Sequence, residues 1–165
     1  MNSADAGNAQ TIFEPGAFLR LFRRSSFRRK LGTGELIWSR ALAKRGIAWV
    51  AFDKLTWKLN LANDTHRWLV YGEYELPTLR RLLERIIRSD SIVIDSGANI
   101  GQMVLLILLC GSPAKIHAFE PTAEARIWLE KCIAHNALEN VIVSSLALGD
   151  QDGAANFMTG DFRFK

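Results

Sequence analysis

A short apolar run that ends in an acid and a glycine-containing turn constrains this chain more than any other feature. Its three apolar residues predict a buried strand, and the apolar stretch from Gly101 to Cys110 predicts a helix directly after the turn. Glycines permit a tight turn and the close approach of a ligand to the backbone. The pattern therefore indicates an α/β fold with a nucleotide-type site at the start of the helix. The segment reads Ile92-Val93-Ile94-Asp95-Ser96-Gly97-Ala98-Asn99-Ile100-Gly101-Gln102.

The glycine spacing in this segment argues against a pyrophosphate ligand. A G-x-G-x-x-G fingerprint counted from Gly97 would need glycine at positions 99 and 102, where the chain has Asn99 and Gln102. The pattern is D-x-G-x-N-x-G, which places Asp95 at the end of the strand, where a carboxylate would meet a cation or hydroxyl groups. S-adenosylmethionine carries a positive amino group and a sulfonium and has no phosphate, so the pattern favours this cofactor.

A second acid follows the next predicted strand. Glu120 comes directly after Lys115–Phe119 and 19 residues after Gly101, the position at which an acid in such folds binds ribose hydroxyls. The alternative is that Asp95 and Glu120 only cap the helices after them, and the glycines between them favour the ligand. Buried carboxylates at these strand ends need a ligand or N–H partners in either case.

Several spaced motifs together resemble the FkbM-type S-adenosylmethionine-dependent methyltransferases. The resemblance spans about Gly46 to Phe157 and implies a class I, Rossmann-like methyltransferase fold. It further implies methyl transfer to a hydroxyl of a small molecule, natural product or sugar. The motifs are DSGANIGQ at 95–102, HAFEP at 117–121, HN at 135–136 with Leu138 and Asn140-Val141, ALGD at 147–150, and YGEYE at 71–75.

The resemblance also implies roles for individual residues. The methionine end of the cofactor would lie against Asp95, Gly97, Asn99 and Gly101, and Glu120 would hold the ribose. The adenine would pack near Ala147 and Leu148. Glu75 would approach the amino group of the cofactor, with a plain surface position as an equal alternative. No catalytic base is assigned and no metal site is expected.

The order of predicted elements in the back half fits a parallel sheet. Apolar strands that alternate with helices predict a sheet covered on both faces and joined by right-handed crossovers. Only the half with strand order 3-2-1 is expected, so we interpret the chain as truncated at the C-terminus, and an inactive cofactor-binding remnant is an alternative. The predicted elements are strands Ile92–Ile94, Lys115–Phe119, Val141–Leu146 and Ala154–Met158, and helices Gly101–Cys110 and Ala125–Ile133.

Three parts are expected along the chain: a basic helical extension at 1–45, short strands and a helix at 46–90, and a partial cofactor-binding domain at 91–165. The extension contains two predicted basic amphipathic helices. The helix after Pro77 has apolar residues at the spacing of one helical face. The front-half elements are helices Gly16–Lys30 and Glu35–Arg45, strands Ile47–Phe52, Thr56–Leu61 and Trp68–Tyr71, and a helix from Pro77 to Ser89-Asp90.

Charge is distributed unevenly between the two halves. Residues 1–90 carry 16 basic and 9 acidic side chains, whereas residues 91–165 carry 5 and 8. Clustered arginines beside aromatic residues are typical of a nucleic-acid-binding module or of a helix on an anionic membrane surface. A solvated basic face whose apolar stripe packs on the domain is the interpretation that we favour, because charge runs are common on ordinary helices. Nucleic acid binding stays as an alternative function.

The cysteines and the apolar runs predict a soluble, cytoplasmic protein. Cys110 and Cys132 lie in apolar stretches without metal-ligand spacing, which fits a reducing compartment. The N-terminus has no signal-peptide pattern. The longest apolar run, Met103–Cys110, is much shorter than the roughly 20 residues that a membrane span needs. The sequence does not indicate an oligomeric state.

Overall fold

The computed structural model describes residues 12–73, 77–151 and 153–154. These residues form two three-stranded sheets with helices packed beside them, a mixed α/β arrangement as predicted. The elements in chain order are β1 Ile12–Phe13, α1 Ala17–Arg24, α2 Lys30–Ala43, β2 Ile47–Phe52, β3 Leu55–Asn60, α3 Asp64–Tyr71, α4 Pro77–Ile86, β4 Ile92–Ser96, α5 Gln102–Cys110, β5 Lys115–Phe119, α6 Ala123–His135 and β6 Val141–Ser144.

The second sheet is the parallel sheet that the sequence predicts. Its strands lie in the order β4-β5-β6, and α5 and α6 are the two crossovers between them. In the register, Asp95 lies beside Ala118 on β5, and Phe119 lies beside Ser144 on β6. The carboxyl ends of the three strands therefore meet at one edge of the sheet, where ligands bind in open α/β folds.

Only one face of this sheet is covered by the described residues. Ile116 and Ala118 are fully buried, whereas Ile92 and Ile94 are 67% and 65% exposed and Ile142 is 41% exposed. Alternating side chains point to opposite faces of a strand, so the exposed residues lie on one face. The expectation of cover on both faces is therefore wrong within the part of the chain that the structure describes.

The first sheet is built on an antiparallel hairpin. Strands β2 and β3 pair from Ile47 with Asn60 to Phe52 with Leu55, and the turn contains Asp53 with a positive φ of 51°. The side chains of β3 alternate between buried and half-buried positions, which confirms the predicted period of two. Strand β1, which the sequence does not predict, is only two residues long and pairs parallel to β2.

Helix α3 corrects a prediction. The segment Trp68–Tyr71 is predicted as a strand, but it forms the last turn of a helix that begins at Asp64. The Asn63 side chain accepts the N–H of His66 and caps this helix, while Gly72 ends it with a positive φ of 78°. A run of four apolar residues fits either structure, and here the cap and the burial of Val70 and Tyr71 favour the helix.

The two basic helices of the front part contribute to an aromatic cluster. The ring of Phe22 lies 4.7 Å from Trp38, 5.6 Å from Phe27 and 6.3 Å from Tyr71, measured between centroids. These aromatic side chains thus pack against one another. Arg67 joins α3 to α2, because its guanidinium binds the Glu35 carboxylate at 2.9 Å.

The hairpin packs directly on the helices of the second sheet, so the two sheets share one hydrophobic core. The Asn136 side chain accepts the N–H of Thr56 at 2.9 Å and donates to its carbonyl at 2.6 Å. The indole N–H of Trp128 donates to the carbonyl of Lys58. These contacts attach β3 along the length of α6.

The predicted strand Ala154–Met158 lies almost wholly outside the described residues. Among the helices that the structure describes, none has the length and the apolar character needed to cross a membrane.

Candidate functional site

The glycine turn, residues 97–101, joins β4 to α5. Gly97, Asn99 and Gly101 have positive φ values of 79°, 50° and 88°. The backbone N–H groups of Gly97 and Ala98 both donate to the carbonyl of Phe119, at 2.9 and 3.0 Å. The turn therefore folds over the carboxyl end of β5, which brings it beside Glu120.

The two glycines of the turn have different surroundings. A Cβ atom added to Gly97 would meet no described atom within 4 Å, so the backbone there is open to an approaching ligand. A Cβ added to Gly101 would lie 2.7 Å from Cζ2 of Trp57 and would also collide with Leu129. Gly101 is thus required by packing, while Gly97 leaves space beside the strand end.

Glu120 is 6% exposed and holds two backbone groups. Its Oε2 atom accepts the N–H of Asn99 at 2.8 Å, and its Oε1 atom accepts the N–H of Thr122 at 2.8 Å. The capping alternative therefore describes part of what Glu120 does, since it satisfies N–H groups at the turn and ahead of α6. Each carboxylate oxygen has a second acceptor position, so these bonds do not exhaust its capacity.

Asp95 carries a buried polar atom without a partner at the end of β4. Its Oδ2 atom is buried and has no hydrogen-bond partner among the described residues. Burial raises the pKa of Asp95, and the nearby charge of Glu120 raises it further. A buried carboxylate oxygen without a donor is costly, and a perturbed carboxyl at a strand end is a typical feature of functional sites. The position favours an added donor or cation.

Of the remaining expected site residues, the structure describes Ala147 and Leu148. Ala147 and Leu148 are exposed and follow β6 at the same sheet edge, with Leu148 51% exposed. Glu75 lies outside the described residues. No group of three or more residues of the types that hold metals occurs in the described ranges.

One residue that shapes the site cannot be recognised from the sequence. Trp57 of β3 is fully buried, and its indole N–H donates to the carbonyl of Ile100 at 2.8 Å. The bond joins the hairpin to the glycine turn across 43 positions. The period of β3 predicts that Trp57 is buried, but nothing in the sequence indicates its partner.

Comparisons with known proteins give only partial matches. No family model matches the sequence. No curated protein matches it either.

Solved structures show similarity over part of the chain. The match to M. jannaschii TYW2 in complex with AdoMet has a TM-score of 0.47 and 23% identity, and covers 59% of this chain and 42% of that one. P. horikoshii TYW2 in complex with MeSAdo gives a TM-score of 0.47 and 16% identity, over 85% and 53% of the two chains. M. jannaschii tRNA m1G37 methyltransferase gives 0.42 and 19%, over 60% and 29%. At TM-scores below 0.5 these similarities do not assign an activity to this chain.

Proposed function

We propose that this chain is an S-adenosylmethionine-dependent methyltransferase domain of the FkbM type. The cofactor would lie at the edge of the second sheet where the glycine turn, Asp95 and Glu120 meet. The observation that carries the proposal is the buried Oδ2 atom of Asp95, which has no described donor and belongs to a residue two positions before the open backbone of Gly97.

The chemistry of these groups fits the proposed cofactor. The α-ammonium group of S-adenosylmethionine would supply the missing donor and the positive charge at Asp95. Glu120 would accept ribose hydroxyls with the acceptor positions that Asn99 and Thr122 leave open. Asn99 and Gly101 shape the turn around these groups.

The outer residues complete the proposed cofactor site. Ala147 and Leu148 would form an apolar wall for the adenine, since they follow the neighbouring strand at the same edge. Glu75 would approach the amino group, a role that follows from the family resemblance alone.

We further propose that the methyl acceptor is a hydroxyl of a small molecule or sugar, as the FkbM resemblance implies. The bound cofactor supplies an electrophilic methyl group on its sulfonium. The protein must then align the acceptor oxygen in line with that methyl and remove its proton. No described residue is assigned as the base.

Calorimetric titration of the full chain with S-adenosylmethionine tests the cofactor proposal. We expect binding by the folded protein and a loss of about tenfold or more in affinity for Asp95→Asn, the effect of one charge-assisted hydrogen bond. Asp90→Asn is the matched control, because Asp90 is an exposed carboxylate paired only with Arg88 in the described chain. Absence of binding in a folded sample, or equal affinity of Asp95→Asn and the unmodified chain, would overturn the proposal.

A second experiment separates an active domain from a binding remnant. The full chain is incubated with methyl-labelled S-adenosylmethionine and a panel of hydroxylated small molecules. Transfer of label to an acceptor supports the enzyme. Cofactor binding without transfer to any acceptor supports the remnant.

A further inference from the structure

Helix α1 carries apolar side chains that the described fold leaves exposed. Leu19 is buried and Phe22 is half-buried, as the interpretation of a packed apolar stripe expects. Phe18 and Leu21, in contrast, are each 70% exposed. They lie three positions apart and therefore on the same side of the helix. Packing on the domain thus accounts for only part of the apolar character of α1.

Phe27, in the loop after α1, extends this exposed surface. Its ring stands edge-on to Phe22, with centroids 5.6 Å apart and 80° between the planes, and it remains 46% exposed. Phe18 in turn lies 5.7 Å from Trp38 of α2, so the outer aromatic rings are supported by the cluster beneath them. We define the Phe18 surface as the exposed apolar residues Phe18, Leu21 and Phe27 with the exposed arginines Arg20, Arg24, Arg28 and Arg29.

The arginines give this surface a positive charge. No acidic residue occurs between positions 16 and 34 of the sequence. Arg24 forms an exposed ion pair with Asp53 at 3.2 Å, whereas no ion pair joins Arg20, Arg28 or Arg29 to a described residue. The four arginines of the Phe18 surface therefore keep an excess of positive charge.

One further carboxyl group lies near the surface. Glu73 lines a small cleft together with Phe27 and Arg29. Burial raises the pKa of Glu73, so this carboxyl ionises less readily than an exposed one. It does not reverse the sign of the charge around Phe27.

The charges lie directly beside the apolar side chains. Arg24 is three positions after Leu21 and four after Arg20, which makes the three residues neighbours on the helix surface. Arg28 follows Phe27 in the chain. Apolar side chains flanked by arginines on one helix are typical of a helix that lies in the interface of an anionic membrane.

The exposed leucine distinguishes a lipid surface from nucleic acid. Phosphates and flat bases would suit the arginines and Phe18, because nucleic acid binds through charge and stacking on aromatic rings. Leu21 gains little from either contact. A lipid bilayer offers anionic headgroups to the arginines and an acyl boundary to both Leu21 and the aromatic rings.

We propose that the Phe18 surface docks on an anionic lipid bilayer, with α1 in the plane of the interface. Phe18, Leu21 and Phe27 enter the boundary between headgroups and acyl chains, and the arginines bind the headgroups. Because Leu19 is buried in the hydrophobic core, this contact attaches the whole described domain to the surface. The proposal does not rest on the proposed cofactor or on methyl transfer.

Co-sedimentation of the full chain with lipid vesicles, without cofactor, tests the proposal. One set of vesicles contains phosphatidylcholine with phosphatidylserine, and the other contains phosphatidylcholine alone. We expect binding to the anionic vesicles and little binding to the neutral ones. Added salt should weaken the binding, because it screens the arginines from the headgroups.

Two variants separate the apolar contribution from the charge. Leu21→Ser removes an exposed apolar side chain, and Ile127→Ser is its matched control, since Ile127 is 48% exposed on α6. The double variant Arg20→Gln/Arg28→Gln removes two exposed charges. Its control is Lys115→Gln/Lys131→Gln, which removes two exposed charges outside the Phe18 surface.

We expect Leu21→Ser and the arginine variant each to weaken vesicle binding about tenfold, and both controls to bind as the unmodified chain does. The proposal is wrong if the anionic vesicles do not bind the chain, if both kinds of vesicle bind it equally, or if either variant binds as its control does.

Two other occupants of the surface have their own signatures. Binding of an oligouridine probe without binding of vesicles would assign the Phe18 surface to nucleic acid. Self-association that Leu21→Ser abolishes, again without vesicle binding, would assign it to a second copy of the chain. Either result overturns the proposal, and because the assay omits S-adenosylmethionine, the cofactor proposal stands or fails separately.

Discussion

The carboxylate of Glu120 accepts the backbone N–H of Asn99 at 2.8 Å, although 21 positions separate the two residues. Asn99 has a left-handed backbone that only a few residue types adopt readily. The bond holds that conformation from the end of the neighbouring strand. The acid expected to bind a ribose is thus also part of the structure that forms the turn.

Replacing Glu120 with alanine should destabilise the protein. The change leaves the N–H groups of Asn99 and Thr122 without their acceptor in a buried place, and we expect a loss of about 3 kcal/mol in the free energy of unfolding. Urea denaturation measures it. Glu124→Ala is the matched control and should stay within about 0.5 kcal/mol of the unmodified chain. Equal losses for the two variants would contradict the assigned role.

Alanine at the two glycines should have unequal effects. Both have positive φ, so each substitution costs about 1 kcal/mol of backbone strain. At Gly101 the new methyl group also collides with Trp57 and Leu129, which adds about 1–3 kcal/mol. Thermal unfolding of Gly97→Ala and Gly101→Ala makes the comparison. A larger loss at Gly97 would show that its surroundings are more crowded than described.

Asp95→Asn should raise stability at neutral pH while it weakens cofactor binding. The pKa of Asp95 is raised in the folded chain above its ordinary value of 3.8, first by burial and then by Glu120. The folded state therefore binds this proton more tightly, and the carboxyl destabilises the fold as pH rises from 3.8 through the raised folded pKa. The side chain introduced by Asp95→Asn does not ionise, so the variant does not lose this stability as pH rises.

Urea denaturation of both proteins across this pH range measures the difference. The stability gain of Asp95→Asn should be small below the unfolded pKa and should grow as pH rises. Asp90→Asn, which changes an exposed carboxylate, should show no such trend. A gain that does not change with pH would contradict the assigned burial of Asp95.

The two thiols should react at different rates with a thiol reagent. Burial raises the pKa of Cys132 to about 12, and its side chain is fully enclosed. Because only the thiolate reacts, Cys132 should stay unmodified until the protein unfolds. Cys110 is half-buried and should react first. Mass spectrometry after brief labelling locates the modified residue, and early modification of Cys132 would place it outside the core.

The sequence predicts strands of both sheets. Strands Ile47–Phe52 of the first sheet and Lys115–Phe119 of the second are found at the predicted bounds. The segment Trp68–Tyr71 is predicted wrongly, since its four apolar residues have no period of their own and the Asn63 cap, five positions before Trp68, decides the outcome. Strand β1 is two residues long and pairs only through the tertiary fold.

The sequence likewise predicts some features of the candidate site and not others. The positions of Asp95 and Glu120 at neighbouring strand ends follow from counting residues along a predicted α/β unit. The satisfied state of Glu120 and the orphan oxygen of Asp95 do not, because both depend on contacts between segments far apart in the chain.

The bond from Trp57 to the carbonyl of Ile100 gives the glycine turn an optical reporter. An indole that is fully enclosed and donates to one carbonyl has emission that depends on the distance and direction of that bond. Any ligand that shifts the turn would therefore change the fluorescence of a residue that it never touches. With the other four tryptophans replaced by phenylalanine, Trp57 alone would follow the occupancy of the turn in real time.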